Sequence, residues 1–374
     1  MDRMTVSPTA DFLTYCCREA DARNSEGVLL RASRVHDWEN IVGLAGKQGV
    51  TLLLLPLWTD LAERGIMPAF VATQAQGMAY AQAAKLMRLR VALKQVLSGF
   101  VESKLQVMVL KGAALASLCY DGAFLRPSGD IDLLCREEEF EKVREVLFSQ
   151  GFCMQEEGPL PRRCTTLEAY YERHFVHRSG MARIDLHLDC ITLGMKPRNT
   201  EALWSRAMQL RIDGASALAL SPEHQVLMLS VHLHRHGFSR LIWFKDIDLI
   251  MRRFQRDIDW DEVARTARAE GAASTLWYTG HFLQRMLGTP VPREIASGLR
   301  PSLPTRWVFA RIWPEDVVLN LQGRTRRRAV QFNVEESWRG MVPSLVLMGR
   351  RREKLKVLLR WMLPFRGSRS TGVG

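Results

Sequence analysis

Two short alternating stretches, Asp130-Ile131-Asp132-Leu133 and Arg183-Ile184-Asp185-Leu186-His187-Leu188-Asp189, constrain the fold more than any other feature of this 374-residue chain. Side chains two apart in a strand share a face. Asp130 and Asp132 therefore project together while Ile131 and Leu133 point into a core. In the second run Asp185, His187 and Asp189 line one face, and Ile184, Leu186 and Leu188 the other. The chain must build a sheet with one apolar and one acidic side, and something positive must offset the repulsion of the paired carboxylates.

The segments around these strands read mostly as helices. Apolar residues recur at three and four positions over 12–15, 35–44 and 70–100. The run Val107, Met108, Val109 and Leu110, ending at Gly112, reads as a buried strand entering a turn. A helix is expected over 113–120, then a polar loop with Arg126, Pro127, Ser128 and Gly129, a strand over 130–135, and an amphipathic helix over 137–150. Between 170 and 190 two β-type runs flank Arg178, Ser179 and Gly180 at hairpin spacing. Ser221, Pro222 and Glu223 start a further helix, others follow near Leu241, Asp259 and Ala272, and Pro290, Pro292, Pro301, Pro304 and Pro314 punctuate a less regular segment. The expected class is α+β: a helical N-terminal region over 1–103, a core with a small mixed sheet over 104–215, a helical C-terminal region over 216–320, and a basic tail over 321–374.

Hard carboxylate oxygens held in pairs suit Mg²⁺, which completes its octahedron with water and substrate phosphate, so the pattern points to a nucleotide. Asp185 is the expected third acid, with Asp189 as its competitor. Three such carboxylates can hold two metals about 4 Å apart, one activating an acceptor hydroxyl and one steadying the departing pyrophosphate. Lys111 and Gly112, at the end of the preceding strand, are placed to cradle phosphate oxygens, with Arg126 as a second phosphate clamp. His232 and His236 are four apart on a helix, a spacing able to bind zinc, but without an H-E-x-x-H pattern they read as a packed pair. Lys245 and Asp246 read as a salt-bridged helix face.

Leu110-Lys111-Gly112, the following Tyr120, the motif Arg126-x-Ser128-x-Asp130-x-Asp132 and the later Ile184-Asp185-Leu186-His187 together resemble the uncharacterised nucleotidyltransferase family of the DNA polymerase β superfamily. The toxin nucleotidyltransferases of bacterial abortive-infection systems show a similar Lys-Gly and Asp-x-Asp arrangement. Leu220-Ser221-Pro222-Glu223, His232 with His236, and Asp259-Trp260 resemble the family's helical second half. The resemblance implies a nucleotidyltransferase-type sheet and Mg²⁺-dependent transfer of a nucleoside monophosphate from a nucleoside triphosphate such as ATP to an acceptor hydroxyl on a peptide, saccharide or protein. It assigns Asp130, Asp132 and Asp185 to catalysis and metal binding, and Lys111, Gly112, Arg126 and Ser128 to the nucleotide. It also implies an accessory role in bacterial peptide or polysaccharide biosynthesis. The sequence departs from the superfamily at Ala113, where a serine usually follows the glycine. That departure keeps open a non-catalytic nucleotide-binding protein of the same fold, beside a related phosphoryl or sugar-phosphate transferase.

Charge is concentrated at the C-terminus. From Leu321 onward 13 basic residues face 3 acids, so +10 of the formal +12 lies there. Arg324, Arg326, Arg327 and Arg328 form one cluster; Arg350, Arg351, Arg352, Lys354 and Lys356 form another, interleaved with Leu355, Val357, Leu358, Leu359 and Trp361. A solvated helix packing its apolar face on the body is favoured over contact with nucleic acid, an anionic membrane or an acidic acceptor. Seven cysteines, with no C-x-x-C pair, no apolar run near the roughly 18 residues that span a bilayer, and two acids among the first eleven residues in place of a leader point to a cytoplasmic protein.

Overall fold

The computed structural model describes residues 6–155, 172–190 and 200–322; both arginine clusters of the tail and Cys164 lie outside the described residues. The chain opens with five helices, α1 (Pro8–Cys16), α2 (Ser25–Ala32), α3 (Trp38–Gln48), α4 (Thr51–Glu63) and the long α5 (Ala69–Glu102). Periodicity predicts α1, α3 and α5. It is silent on α2, which buries only Val28 and Ala32, and on α4, whose run of leucines has no polar face to reveal a period.

Seven described strands then form one mixed sheet: β1 (Met108–Val109), β2 (Ile131–Leu134), β3 (Phe152–Met154), β4 (Glu172–His177), β5 (Arg183–His187), β6 (Met208–Ile212) and β7 (Ala215–Ala219), in the order β3-β4-β5-β2-β1-β7-β6. Two helices interrupt them early, α6 (Lys111–Cys119) after β1 and α7 (Phe140–Ser149) after β2. β2 runs parallel to β5 with Asp132 opposite Asp185, and β5 is antiparallel to β4 with His174 opposite Asp185 and Glu172 opposite His187. The hairpin of β6 and β7, joined at Asp213 and Gly214, closes the other edge through a parallel pairing of β7 with β1. The boundary expected at 215 thus falls at the first residue of β7, and the sheet ends at Ala219.

One face of the sheet is apolar. Ile131, Leu133, Ile184, Leu186 and Phe175 pack against Leu89, Leu93, Val96, Leu97 and Phe100 of α5 and Phe140, Val143 and Leu147 of α7. Each such fully buried side chain contributes about 1.5–3 kcal/mol relative to exposure. The alternation that buries these residues turns their neighbours Asp132, Asp185 and His187 to the opposite face. A second core joins α1, α3 and α4 to the C-terminal helices Pro222–Arg235, Leu241–Arg253, Trp260–Glu270 and Ala273–Leu287, and reaches the sheet at Met108, Leu110 and Leu134. The proline-punctuated segment is more regular than its sequence implies. Pro292, Pro304 and Pro314 stand at the starts of the short helices Arg293–Ala296, Leu303–Ile312 and Glu315–Leu319, where a missing N–H costs nothing.

Candidate active site

The parallel register of β2 and β5 assembles the site. Asp132 and Asp185 are paired positions on adjacent strands, 6% and 7% exposed, and Asp130 stands just before β2 on the same face at a more accessible position. It is Asp185, not Asp189, that faces Asp132; Asp189 lies two residues beyond the end of β5. Four cationic or ionisable neighbours hold the three acids. Lys111 Nζ donates to Asp132 Oδ1 at 2.7 Å, and His187 Nε2 lies 3.2 Å from the same oxygen. The Arg183 guanidinium spans Asp130 Oδ2 at 3.5 Å and Asp185 Oδ1 at 3.6 Å. His174 Nδ1 is 2.9 Å from Asp185 Oδ1.

These surroundings drive the acids apart. Burial and the charges of Asp132 and Asp185 raise the pKa of Asp130 above the ordinary aspartate range, against the pull of Lys111 and Arg183. Burial would also raise Asp132, but the Lys111 ammonium and the His187 hydrogen bond outweigh it and hold that carboxyl far below its usual range. Lys111 answers in kind: burial disfavours its charge, yet the Asp132 carboxylate keeps its pKa above the usual lysine value. The three carboxylates share one partly covered face, but among the described residues the donors that converge within 4.8 Å of one another are those of Glu172, His174 and Asp185, so only Asp185 of the three expected metal ligands falls in that group.

Lys111 and Gly112 do not form a turn before the helix, as the sequence reading has it. They are the first residues of α6, because Leu110 is extended and serves as the N-cap. Among the described residues no side chain caps this start, which leaves its first N–H groups to an anion. Lys111 adopts φ +41°, an uncommon conformation for a lysine. Gly112 is required by close approach: a Cβ there would meet Ser128 Oγ at 2.6 Å and Arg126 Nη1 at 3.4 Å. The Ser128 hydroxyl, which donates to the Asp130 carbonyl at 2.9 Å, therefore stands against the start of α6 where Ala113 brings none. A cleft lined by Leu86, Leu89, Arg90 and Leu93 of α5 opens beside Gly112, Ser128 and Asp130.

Arg126, expected as a second phosphate clamp, lines the cleft beside Gly112 and is anchored from behind by a buried acid. Its Nη2 donates to Asp246 Oδ2 at 2.7 Å, its Nε lies 3.2 Å from both Asp246 oxygens, and its Nη1 donates to the Pro127 carbonyl. Tyr120 donates to Asp246 Oδ1 at 2.7 Å, and Asp246 is fully buried. Lys245, its neighbour, donates to Asp248 at 3.0 Å and to Glu19. His232 and His236 are packed, with ring centroids 4.5 Å apart and both rings against Trp243. Burial and the nearby Lys111 charge push His232 well below the ordinary histidine value. Sequence reasoning missed Glu172 and His174. Their i, i+2 spacing on β4 is visible in the sequence, but only the strand order brings them to the acid face.

The mixed sheet thus sets Asp132 of one strand beside Asp185 on its parallel neighbour, with Asp130 just before the first strand and the start of α6 alongside. A sequence model of the uncharacterised nucleotidyltransferase family matches residues 35–288, more than half of the chain. The chain belongs to this family and, with it, to the transferases of nucleotidyl groups. No curated protein matches it in sequence. Solved structures similar to it include the antibiotic-resistance factor ANT(2'')-Ia in solution, at 13% identity and TM-score 0.36, covering 54% of this chain and 99% of that one. Another is an antigenic nucleotidyltransferase-like protein from Paracoccidioides brasiliensis, at 12% identity and TM-score 0.32, covering 56% and 97%.

Proposed function

We propose that the protein uses Mg²⁺ to transfer a nucleoside monophosphate from a nucleoside triphosphate to an acceptor hydroxyl. The observation that carries this reading is the register of β2 on β5, which sets Asp132 opposite Asp185 with Asp130 on the same face. Asp130, Asp132 and Asp185 would hold the metal, which when bound neutralises phosphate charge and lowers the barrier to in-line displacement. The chain's own part is positioning and proton handling. Lys111, the first N–H groups of α6 and the Ser128 hydroxyl converge where a triphosphate would lie. Lys111 neutralises Asp132 until substrate arrives, then turns its ammonium to a phosphate oxygen. The acceptor oxygen bonds to the α-phosphorus, the bond to the β-phosphate oxygen breaks, pyrophosphate leaves, and the acceptor proton passes to Asp185. Arg126, anchored by Asp246 through Nε and Nη2, would serve as the second phosphate clamp through its Nη1 side.

The acceptor belongs, in this reading, to bacterial peptide or polysaccharide synthesis, and the setting is the cytoplasm. Six described cysteines are free thiols, five of them buried, and no described helix is long and apolar enough to cross a membrane. A non-catalytic nucleotide binder is the second reading, favoured by Ala113 and by the saturation of Asp132 with Lys111 and His187. Incubating the full chain with each α-labelled nucleoside triphosphate, Mg²⁺ and a bacterial extract separates them. Transfer of label with release of pyrophosphate, abolished by Asp132→Asn, supports the enzyme. Nucleotide binding by calorimetry without transfer from any of the four supports the binder.

A further inference from the structure

The acid face carries a nitrogen donor that a magnesium site does not need. Glu172 and His174 lie two apart on β4 and share its face, and the register of β4 on β5 sets His174 against Asp185. One ligand atom from each of Glu172, His174 and Asp185 lies within 4.8 Å of the other two. His174 Nδ1 is 2.9 Å from Asp185 Oδ1 and 4.0 Å from Glu172 Oε1. The Glu172, His174 and Asp185 side chains are 17%, 33% and 10% exposed, so the group is held by the sheet with His174 its most accessible member. Among the described residues this is the cluster of His, Cys, Asp and Glu whose donors come this close. Asp130 and Asp132 lie outside it.

Ligand chemistry separates the two sets. Mg²⁺ takes oxygen donors and sheds water reluctantly, whereas an imidazole nitrogen with two carboxylates is a donor set for first-row transition ions. We infer that Glu172, His174 and Asp185 form a second cation site, which takes a divalent first-row transition ion, Zn²⁺ or Mn²⁺, in preference to Mg²⁺. Asp185 belongs to both sets, since it faces Asp132 on one side and His174 on the other. An ion there would fix the Asp185 carboxylate from the β4 side. It would take the His174 Nδ1 lone pair in place of the present contact with Asp185 Oδ1. The site follows from strand register and donor type alone, so it stands or falls by binding, whatever the protein's reaction.

The test uses full-length, chelator-stripped protein without nucleotide. Calorimetric titration with Zn²⁺, Mn²⁺ and Mg²⁺ should show at least one transition ion binding tenfold or more tighter than Mg²⁺, and comparison of the first two tells which ion the site selects. His174→Ala and Glu172→Gln should each weaken that binding at least tenfold and should not weaken Mg²⁺ binding, with melting curves confirming a folded protein; His174→Gln is the substitute where His174→Ala does not fold. Electron paramagnetic resonance of bound Mn²⁺ should show coupling to one nitrogen, lost in the His174 variant. Equal affinity for Mg²⁺ and the transition ions overturns the inference. So does a loss of transition-ion binding on His232→Ala with none on His174→Ala, because the ion would then sit at the packed histidine pair.

Discussion

Replacing Lys111 by Ala tests the most specific claim made for the site, that a protein cation guards Asp132 until substrate displaces it. Lys111 Nζ is 2.7 Å from Asp132 Oδ1, with the side chains 15% and 6% exposed. Unit charges 4 Å apart attract by about 4 kcal/mol at an effective dielectric of 20. Desolvation of both groups cuts the net value to about 1.5–3 kcal/mol, the size of a hydrogen bond to a charged partner. A divalent ion reaching Asp132 in the free protein must overcome that contact. Lys111→Ala should therefore tighten Mg²⁺ binding in the absence of nucleotide by about 10- to 100-fold, since each 1.4 kcal/mol is tenfold. The same change should weaken nucleoside triphosphate binding at saturating Mg²⁺ by about tenfold or more, because a charge-assisted contact to phosphate is lost. Calorimetry of Mg²⁺ alone, then of nucleotide with Mg²⁺, reads both signs on one protein. The variant loses about 1.5–3 kcal/mol of stability with the ion pair. The companion Lys111→Gly removes the ammonium while relieving the cost of φ +41°, and guards against misreading a folding defect. Unchanged or weaker Mg²⁺ binding in both variants refutes the reasoning.

The other predictions concern the acids and the buried clamp. Asp132→Asn and Asp185→Asn should each lower nucleotidyl transfer by several orders of magnitude with the fold retained, as read by labelled-nucleotide transfer beside circular dichroism. Asp130→Asn should lower transfer as well, yet raise the melting temperature of the metal-free protein by about 1–3 °C, because it removes a charge that its neighbours raise in pKa. Asp132 is depressed in the folded chain, so its contribution to stability is present above about pH 4, the unfolded aspartate range, and is lost as pH falls below it. Urea midpoints measured from pH 7 to pH 3 should drop less steeply in Asp132→Asn. Asp246→Asn should cost about 3–5 kcal/mol by leaving Arg126 buried without its anion, and Arg126→Met with Asp246→Leu should recover much of that loss in the same denaturation assay.

The acid strands were legible because a period of two is short and unambiguous: Asp130, Asp132 and Asp185 each follow from alternation, and Ile131, Leu133, Ile184 and Leu186 are buried as it requires. The long helices were legible for the same reason at a period of 3.6. What stayed hidden depended on pairing. The edge hairpin Met208–Ile212 and Ala215–Ala219 has an ordinary composition, and only its contact with β1 makes it part of the sheet. Glu172 and His174 look like surface residues until β4 is laid against β5. Arg126 is a conspicuous cation near a conspicuous pair of acids, but its partner lies 120 residues away on the helix Leu241–Arg253. No local pattern encodes a contact of that span.

The bond between Arg126 and Asp246 also bears on how such a chain can be divided or recombined. The sheet and all three aspartates lie between residues 108 and 219, a span that looks like a portable module. Excised, it would expose a guanidinium shaped for an internal anion, along with the Tyr120 hydroxyl that shares it. A hybrid that grafts this span onto the helices of a distant relative would fail unless the recipient supplies a carboxylate at the Asp246 position. Two fragments cut between Ala219 and Pro222, by contrast, should reassemble when expressed together, because each holds one half of the same charge pair and presents it to the other.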